Sequence, residues 1–198
     1  MIRSGRVEEV KWDSGSWVFL DVGFSNYSKS CGLLIGDGTP IELRFSEVLK
    51  ELFIHVTNTS DPINLVLEAP LSVSFDKNGN PKGRSIEKQN QRTRYWYVGL
   101  GCTVMVAGLY ILKGLQESCF DKEVRLFEGF VSFKEKQKRT NHTKDVLLLR
   151  EVVKSPKSFS GAIVPEEKLK MDGSDILKSA FIVAGRDYGI PPVIMRNG

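Results

Sequence analysis

A chain of 198 residues, 41% hydrophobic and 26% charged, has the composition of an ordinary globular protein, and two full domains would be cramped in it. Its net charge of +4 admits a nucleic-acid partner without requiring one, because a local patch counts for more than the sum. Two histidines, and three cysteines with no CxxC spacing, argue against a zinc site of the usual kind. Cys31, Cys102 and Cys119 lie in apolar stretches and read as buried free thiols of a reducing, cytoplasmic compartment.

Residues 1–15 are polar and suggest a short edge strand or arm, and MIRSGRVEEVKWD lacks the apolar stretch of a secretory signal. Ser16–Val22 then predicts a strand buried on both faces: Trp17 to Leu20 are apolar and run straight into Asp21. Cys31–Gly36 is a second strand, Asp37-Gly38 a hairpin turn, and Pro40–Phe45 a third strand. Ser46 suits a helix N-cap, with Glu47 and Glu51 near the positive end of the dipole. Val48, Leu49, Leu52, Phe53 and Val56 supply that helix with an apolar face.

Ile63–Glu68 repeats the first pattern, with Leu65, Val66 and Leu67 ahead of a lone Glu68. A loop rich in Gly, Asn and Lys follows, then a long helix expected over Ile86–Glu117. Its segment Tyr95–Leu112 is uncharged and flanked by aromatics, as a membrane span can be; its glycines and soluble surroundings favour a helix buried on a sheet. Val124–Glu128 is a fifth strand and Thr143–Val153 a further helix. A last helix is expected from Asp172 to about Tyr188, leaving 189–198 as a tail. The whole is one α/β domain over residues 1–198. Three antiparallel strands precede parallel ones in a mixed five-stranded sheet flanked by helices, with right-handed crossovers.

Two buried strands that each end in one carboxylate bring Asp21 and Glu68 side by side. Asp172 and Asp175, three apart, would share a face at the start of the last helix. Converging carboxylates repel, and a hard divalent cation, Mg²⁺ or Mn²⁺, relieves that repulsion. Each acid also has a structural reading: Asp21 and Glu68 as turn caps, and Asp172 with Asp175 as capping and dipole residues. Glu128 ends the fifth strand as a further ligand or a salt-bridge partner, and Asp145, in the first turn of its helix, reads as a cap.

This order of elements, with Asp21, Glu68 and the Asp172-Gly173-Ser174-Asp175 stretch at its ends, resembles the ribonuclease H-like superfamily. RuvC-type resolvases and uncharacterised nucleases of that fold are the nearest in kind. The resemblance implies a metal-dependent nuclease or resolvase-like phosphodiesterase acting on DNA or RNA, with Asp21, Glu68, Asp172 and Asp175 as catalytic metal ligands. Asp175 matches the acid that binds metal from the last helix, with Asp172 as its helper.

Basic residues gather around Lys82, Arg84, Lys88, Arg92 and Arg94, and again at Lys134, Lys136, Lys138, Arg139 and Lys144. Both groups follow strand ends and would grip phosphates by charge, unless they are simply solvated. Tyr95, Trp96 and Tyr97 can stack bases or fill a core. Asp76, Asn78, Asn80 and Glu87 have calcium-loop spacing, but Pro81 stands where glycine is needed. Two competing functions stay open. One is a non-catalytic binding module for nucleic acid or protein. The other is an actin-like small-molecule phosphotransferase, suggested by Asp21-Val22-Gly23-Phe24-Ser25, which at this length would need a homodimer to complete its cleft.

Overall fold

The computed structural model describes residues 1–23, 28–89, 92–93, 100–118, 121–132 and 141–197. The chain opens with β1 (Ile2–Ser4), followed by β2 (Ser16–Val22), β3 (Cys31–Ile35) and β4 (Ile41–Leu43). Helix α1 (Phe45–Asn58) leads to β5 (Ile63–Glu68). Four short strands come next: β6 (Ser72–Phe75), β7 (Pro81–Lys82), β8 (Lys88–Gln89) and β9 (Arg92–Thr93). Helix α2 (Leu100–Ser118), β10 (Val124–Ser132) and α3 (His142–Lys154) follow. Strands β11 (Ile163–Val164), β12 (Ile176–Ser179) and β13 (Val193–Asn197) complete the order.

The main sheet has eight strands in the order β11-β13-β10-β5-β2-β3-β4, with β1 also paired to β10. Strands β2, β5, β10 and β13 run parallel, while β2-β3-β4 is an antiparallel meander. The predicted antiparallel-then-parallel α/β sheet is therefore present as β4-β3-β2-β5-β10. Three further strands extend it. β1 pairs with Val124–Leu126 and β13 with Glu128–Ser132, so they lie end to end along one edge of β10. A separate three-stranded sheet, β12-β6-β7, and a short β8-β9 pair stand apart from the main sheet.

Alternation along the strands divides the core. Val18, Leu20, Leu65, Leu67, Val124 and Leu126 face α1 and α2, packing with Val48, Leu52, Ile111 and Leu115. Trp17, Phe19, Val66, Phe127 and Val131 face α3, packing with Val146, Leu149 and Val152. Among the described residues no helix is long and apolar enough to cross a membrane.

Several sequence expectations fail locally, for identifiable reasons. Helix α1 starts at Phe45, and its first turn is tied by Glu47, whose carboxylate accepts the Arg44 N–H at 2.9 Å; Ser46 is not the cap. The long helix expected from Ile86 begins at Leu100. Before it, Glu87 is buried against Arg84, and the polar stretch Lys88–Thr93 has no helical apolar face to bury. The helix expected over 172–188 is absent. Asp172 and Asp175 form a turn, β12 follows, and Gly185 at φ 71° stops the short 3-10 segment Ala180–Ala184. Val193–Asn197, expected as tail, is a sheet strand. Cys31 is buried as expected but Cys102 is exposed, and Cys119 lies outside the described residues.

Candidate metal centre

The parity of the strands selects which acids meet. Asp21 pairs directly with Glu68 across β2 and β5, and both follow the odd-even phase of Phe19 and Val66, which face α3. On the other side of Asp21 its partner in β3 is Gly32, and beside Glu68 stands Gly129 of β10, where an added Cβ would lie 3.4 Å from the Glu68 Cα. The row glycine–acid–acid–glycine runs across four strands. Its two bare positions let a helix come down onto the sheet over the acids. A Cβ on Gly32 would sit 2.5 Å from the carbonyl carbon of His142, and one on Gly129 would meet the Leu149 side chain at 2.8 Å.

Helix α3 fills that space. Asn141 caps it, accepting the Lys144 N–H at 3.0 Å. With Asn141 at the cap position, Asp145 is buried against the sheet. Asp21, Glu68 and Asp145 are 6%, 6% and 4% exposed, and each offers a carboxylate oxygen such that all three lie within 4.8 Å of one another. One turn earlier on the same face, His142 places Nδ1 2.8 Å from Asp21 Oδ2. The Val131 N–H donates to Glu68 Oε1 at 3.3 Å. An ionised carboxylate accepts only, so with Asp21 ionised the tautomer that makes this bond carries its proton on Nδ1, and the bond fixes the ring against Asp21.

Three ionised carboxylates this close repel by about 3 kcal/mol per pair at an effective dielectric of about 20. A divalent cation removes that cost, and the donor set, all carboxylate oxygen, suits a hard metal ion. These three residues can hold one. His142 then plays the part of an outer hydrogen-bond partner that orients a ligand. The neighbouring thiol adds no soft ligand, because Cys31 is one residue out of phase with Gly32 and packs with the cluster under α1 and α2. Burial, with the Asp21 charge adding to it, pushes Cys31 up to about 11, so the thiol keeps its proton near neutrality.

The other residues singled out in the sequence stand elsewhere or do other work. Asp175 accepts Lys82 Nζ at 2.7 Å and the N–H groups of Met171 and Asp172 at 3.0 and 2.9 Å. The bond from Lys82 holds its carboxyl below the usual range. Asp172 accepts the backbone N–H and the hydroxyl of Ser174, which likewise depress it. Ile176 pairs with Phe75, so this turn lies at the end of β6 remote from Glu68, outside the acid cluster.

Glu128, level with Leu67 in the register, falls one residue out of phase with Glu68 and points to the opposite face. There it receives both Nη atoms of Arg84 at 2.8 and 2.7 Å. Arg84 is therefore buried and ion-paired, not a phosphate contact. Asp76 accepts the N–H groups of Asn78 and Asn80 in a turn, and Glu87 serves Arg84, so the calcium-loop spacing is coincidental. The backbone of Arg92 lies in β9; Arg94, Tyr95–Tyr97, Lys134, Lys136, Lys138 and Arg139 lie outside the described residues.

Asp145 is the residue that sequence reasoning misassigned. Asn141, four positions earlier, was the available signal, since a helix with an Asn at its cap does not need a second capping acid a turn later. Comparison with protein-family profiles, curated proteins and solved structures finds no match to this chain.

Proposed function

We propose that the chain is a divalent-metal-dependent phosphodiesterase of the ribonuclease H-like kind, acting on DNA or RNA, with Asp21, Glu68 and Asp145 holding Mg²⁺ or Mn²⁺. The observation that carries this reading is the convergence of three buried carboxylates from β2, β5 and α3 within 4.8 Å. The antiparallel meander followed by parallel strands supports it as the sheet that the resemblance implies. When bound, the ion supplies a Lewis acid and an activated water for attack on phosphorus. The protein's own groups do the positioning. His142 orients the Asp21 carboxylate, and the Val131 N–H holds Glu68. Exposed Lys144 at the start of α3, and Lys29 ahead of β3, favour the approach of a polyanion. In sequence, Lys134, Lys136, Lys138 and Arg139 join β10, which borders the cluster, to α3, which carries Asp145.

The test is thermal melting with Mn²⁺ or Mg²⁺, followed by cleavage of labelled single-stranded, duplex and branched oligonucleotides. At a hundredfold excess over Kd, binding stabilises by about 2.7 kcal/mol, or about 5–11 °C for a chain of this size. Asp145→Asn should raise the metal-free melting temperature, since it relieves repulsion, and erase most of the gain from metal. Asp175→Asn should leave the gain intact. No gain in the wild type, or one that survives Asp145→Asn, would overturn the site; a gain without any cleavage would overturn the hydrolytic assignment.

A further inference from the structure

On the face of the sheet away from the acids, a pocket of about 460 Å³ opens between α2 and the segment that follows β12. Its volume is that of a small-molecule site. Leu112 and Phe181 form a fully buried floor, and Tyr188 closes one side, packed on Phe181 with ring centroids 5.3 Å apart. Around the mouth the chain keeps large apolar groups in solvent: Tyr110 is 63% exposed and Val106 45%. Exposed apolar surface rimming a concavity is costly unless something covers it.

The charged residues that line the pocket have one sign. Lys113 and Arg186 are the charged residues of the lining, and both side chains are solvent-exposed. The partner of Lys113, Glu117, is 3.8 Å away with both side chains 64% exposed, a pairing too weak to hold the ammonium from a ligand. The Tyr188 hydroxyl is already engaged with Gln116 at 2.9 Å, so the pocket's depth offers apolar contact rather than hydrogen bonds. An apolar floor beneath Arg186 and a Lys113 held only by a weak, exposed pair fits one chemistry.

We propose that this pocket binds a single anionic amphiphile, an aliphatic or aromatic chain ending in a carboxylate or comparable anion, with the chain on Leu112 and Phe181 and the anion between Lys113 and Arg186. The site is independent of the acid cluster, which lies on the α3 face. Its walls nonetheless reach the strand that carries Glu68: a Cβ on Gly108 of α2 would lie 2.9 Å from the Leu67 side chain, and the Ala180 N–H donates to the Leu71 carbonyl at 2.9 Å.

The experiment is calorimetric titration of the full chain with decanoate below its micellar concentration, with decyltrimethylammonium as a chain-matched cation. Decanoate should bind and the cation should bind at least tenfold more weakly. Arg186→Glu, at an exposed position, should weaken decanoate at least tenfold, a loss of about 1.4 kcal/mol. Ala184→Trp should block binding while melting stays within a few degrees. The proposal fails if decanoate produces no saturable heat by about 1 mM, or if both amphiphiles bind alike. It also fails if Arg186→Glu changes nothing, or if only phosphatidylglycerol vesicles, and not monomeric decanoate, are bound.

Discussion

Arg84 offers the sharpest test of how the interior is built. Its side chain is fully buried, with Glu87 and Glu128 equally shielded. The guanidinium satisfies Glu128 through both Nη atoms, Ser72 Oγ at 2.8 Å and Glu87 at 3.1 Å through Nε, while Glu128 also takes the Leu71 N–H at 2.8 Å. Arg84→Met keeps the volume and removes the charge, stranding two carboxylates where water does not reach. Breaking a buried pair in this way costs about 3–5 kcal/mol, a fall in melting temperature of about 6–20 °C at this chain length. Urea unfolding followed by tryptophan fluorescence would read it.

Arg84→Lys should rescue little, because an ammonium cannot serve the fork of two Nη bonds and an Nε bond. Burial holds the Glu87 carboxyl above its usual range even against the attraction of Arg84. Such a group takes up its proton more readily folded than unfolded, so the deficit of Arg84→Met should shrink as the pH is lowered. A loss below about 1 kcal/mol, the value of an exposed pair, would refute the reasoning and return Arg84 to the surface as a phosphate contact.

Two further outcomes bear on the site and its surroundings. Gly32→Ala should cost about 1–3 kcal/mol, because the new methyl meets the backbone of His142, and by lifting α3 it should also weaken the stabilisation by Mn²⁺; a variant that melts and responds to metal as the wild type does would show that α3 is not seated on β3. Asp175, held low by Lys82, contributes stability that is present above the ordinary carboxylate range and lost as the pH falls through its depressed value. In urea titrations below about pH 4, Asp175→Asn should therefore flatten the acid loss, and an unchanged slope would deny the Lys82 pair any weight.

The buried strands were legible because β2 and β5 are continuous apolar runs, and a lone acid at the end of each is conspicuous against that background. That these acids meet follows from parallel neighbours in register, which the meander and the crossover already imply. The third acid was not legible by the same means. Asp145 and the Asp172–Asp175 pair carry the same local pattern, acids in what looks like a first helical turn, and only the packing of α3 over Gly32 and Gly129 decides between them. Arg84 shows the limit more plainly. A charge run in sequence looks solvated, and nothing local announces that its arginine is enclosed between Glu87, three positions on, and Glu128, 44 positions away along the chain. Strand β13 lay in the stretch expected as a tail, and Pro191-Pro192 there delivers Val193 to the edge of β10.

The tandem closure of β10 by β1 and β13 has a consequence for how the chain is made. By the time α3 has been synthesised every member of the acid cluster exists, yet the distal half of β10 still has one row of backbone groups with nothing to pair. That row waits for Val193–Asn197, some forty residues later in the chain. An open strand edge in a nascent chain invites pairing with a neighbour. The stretch from α3 to β13 is thus a window of vulnerability during synthesis, and chains interrupted within it should accumulate as aggregates with their acid cluster already assembled.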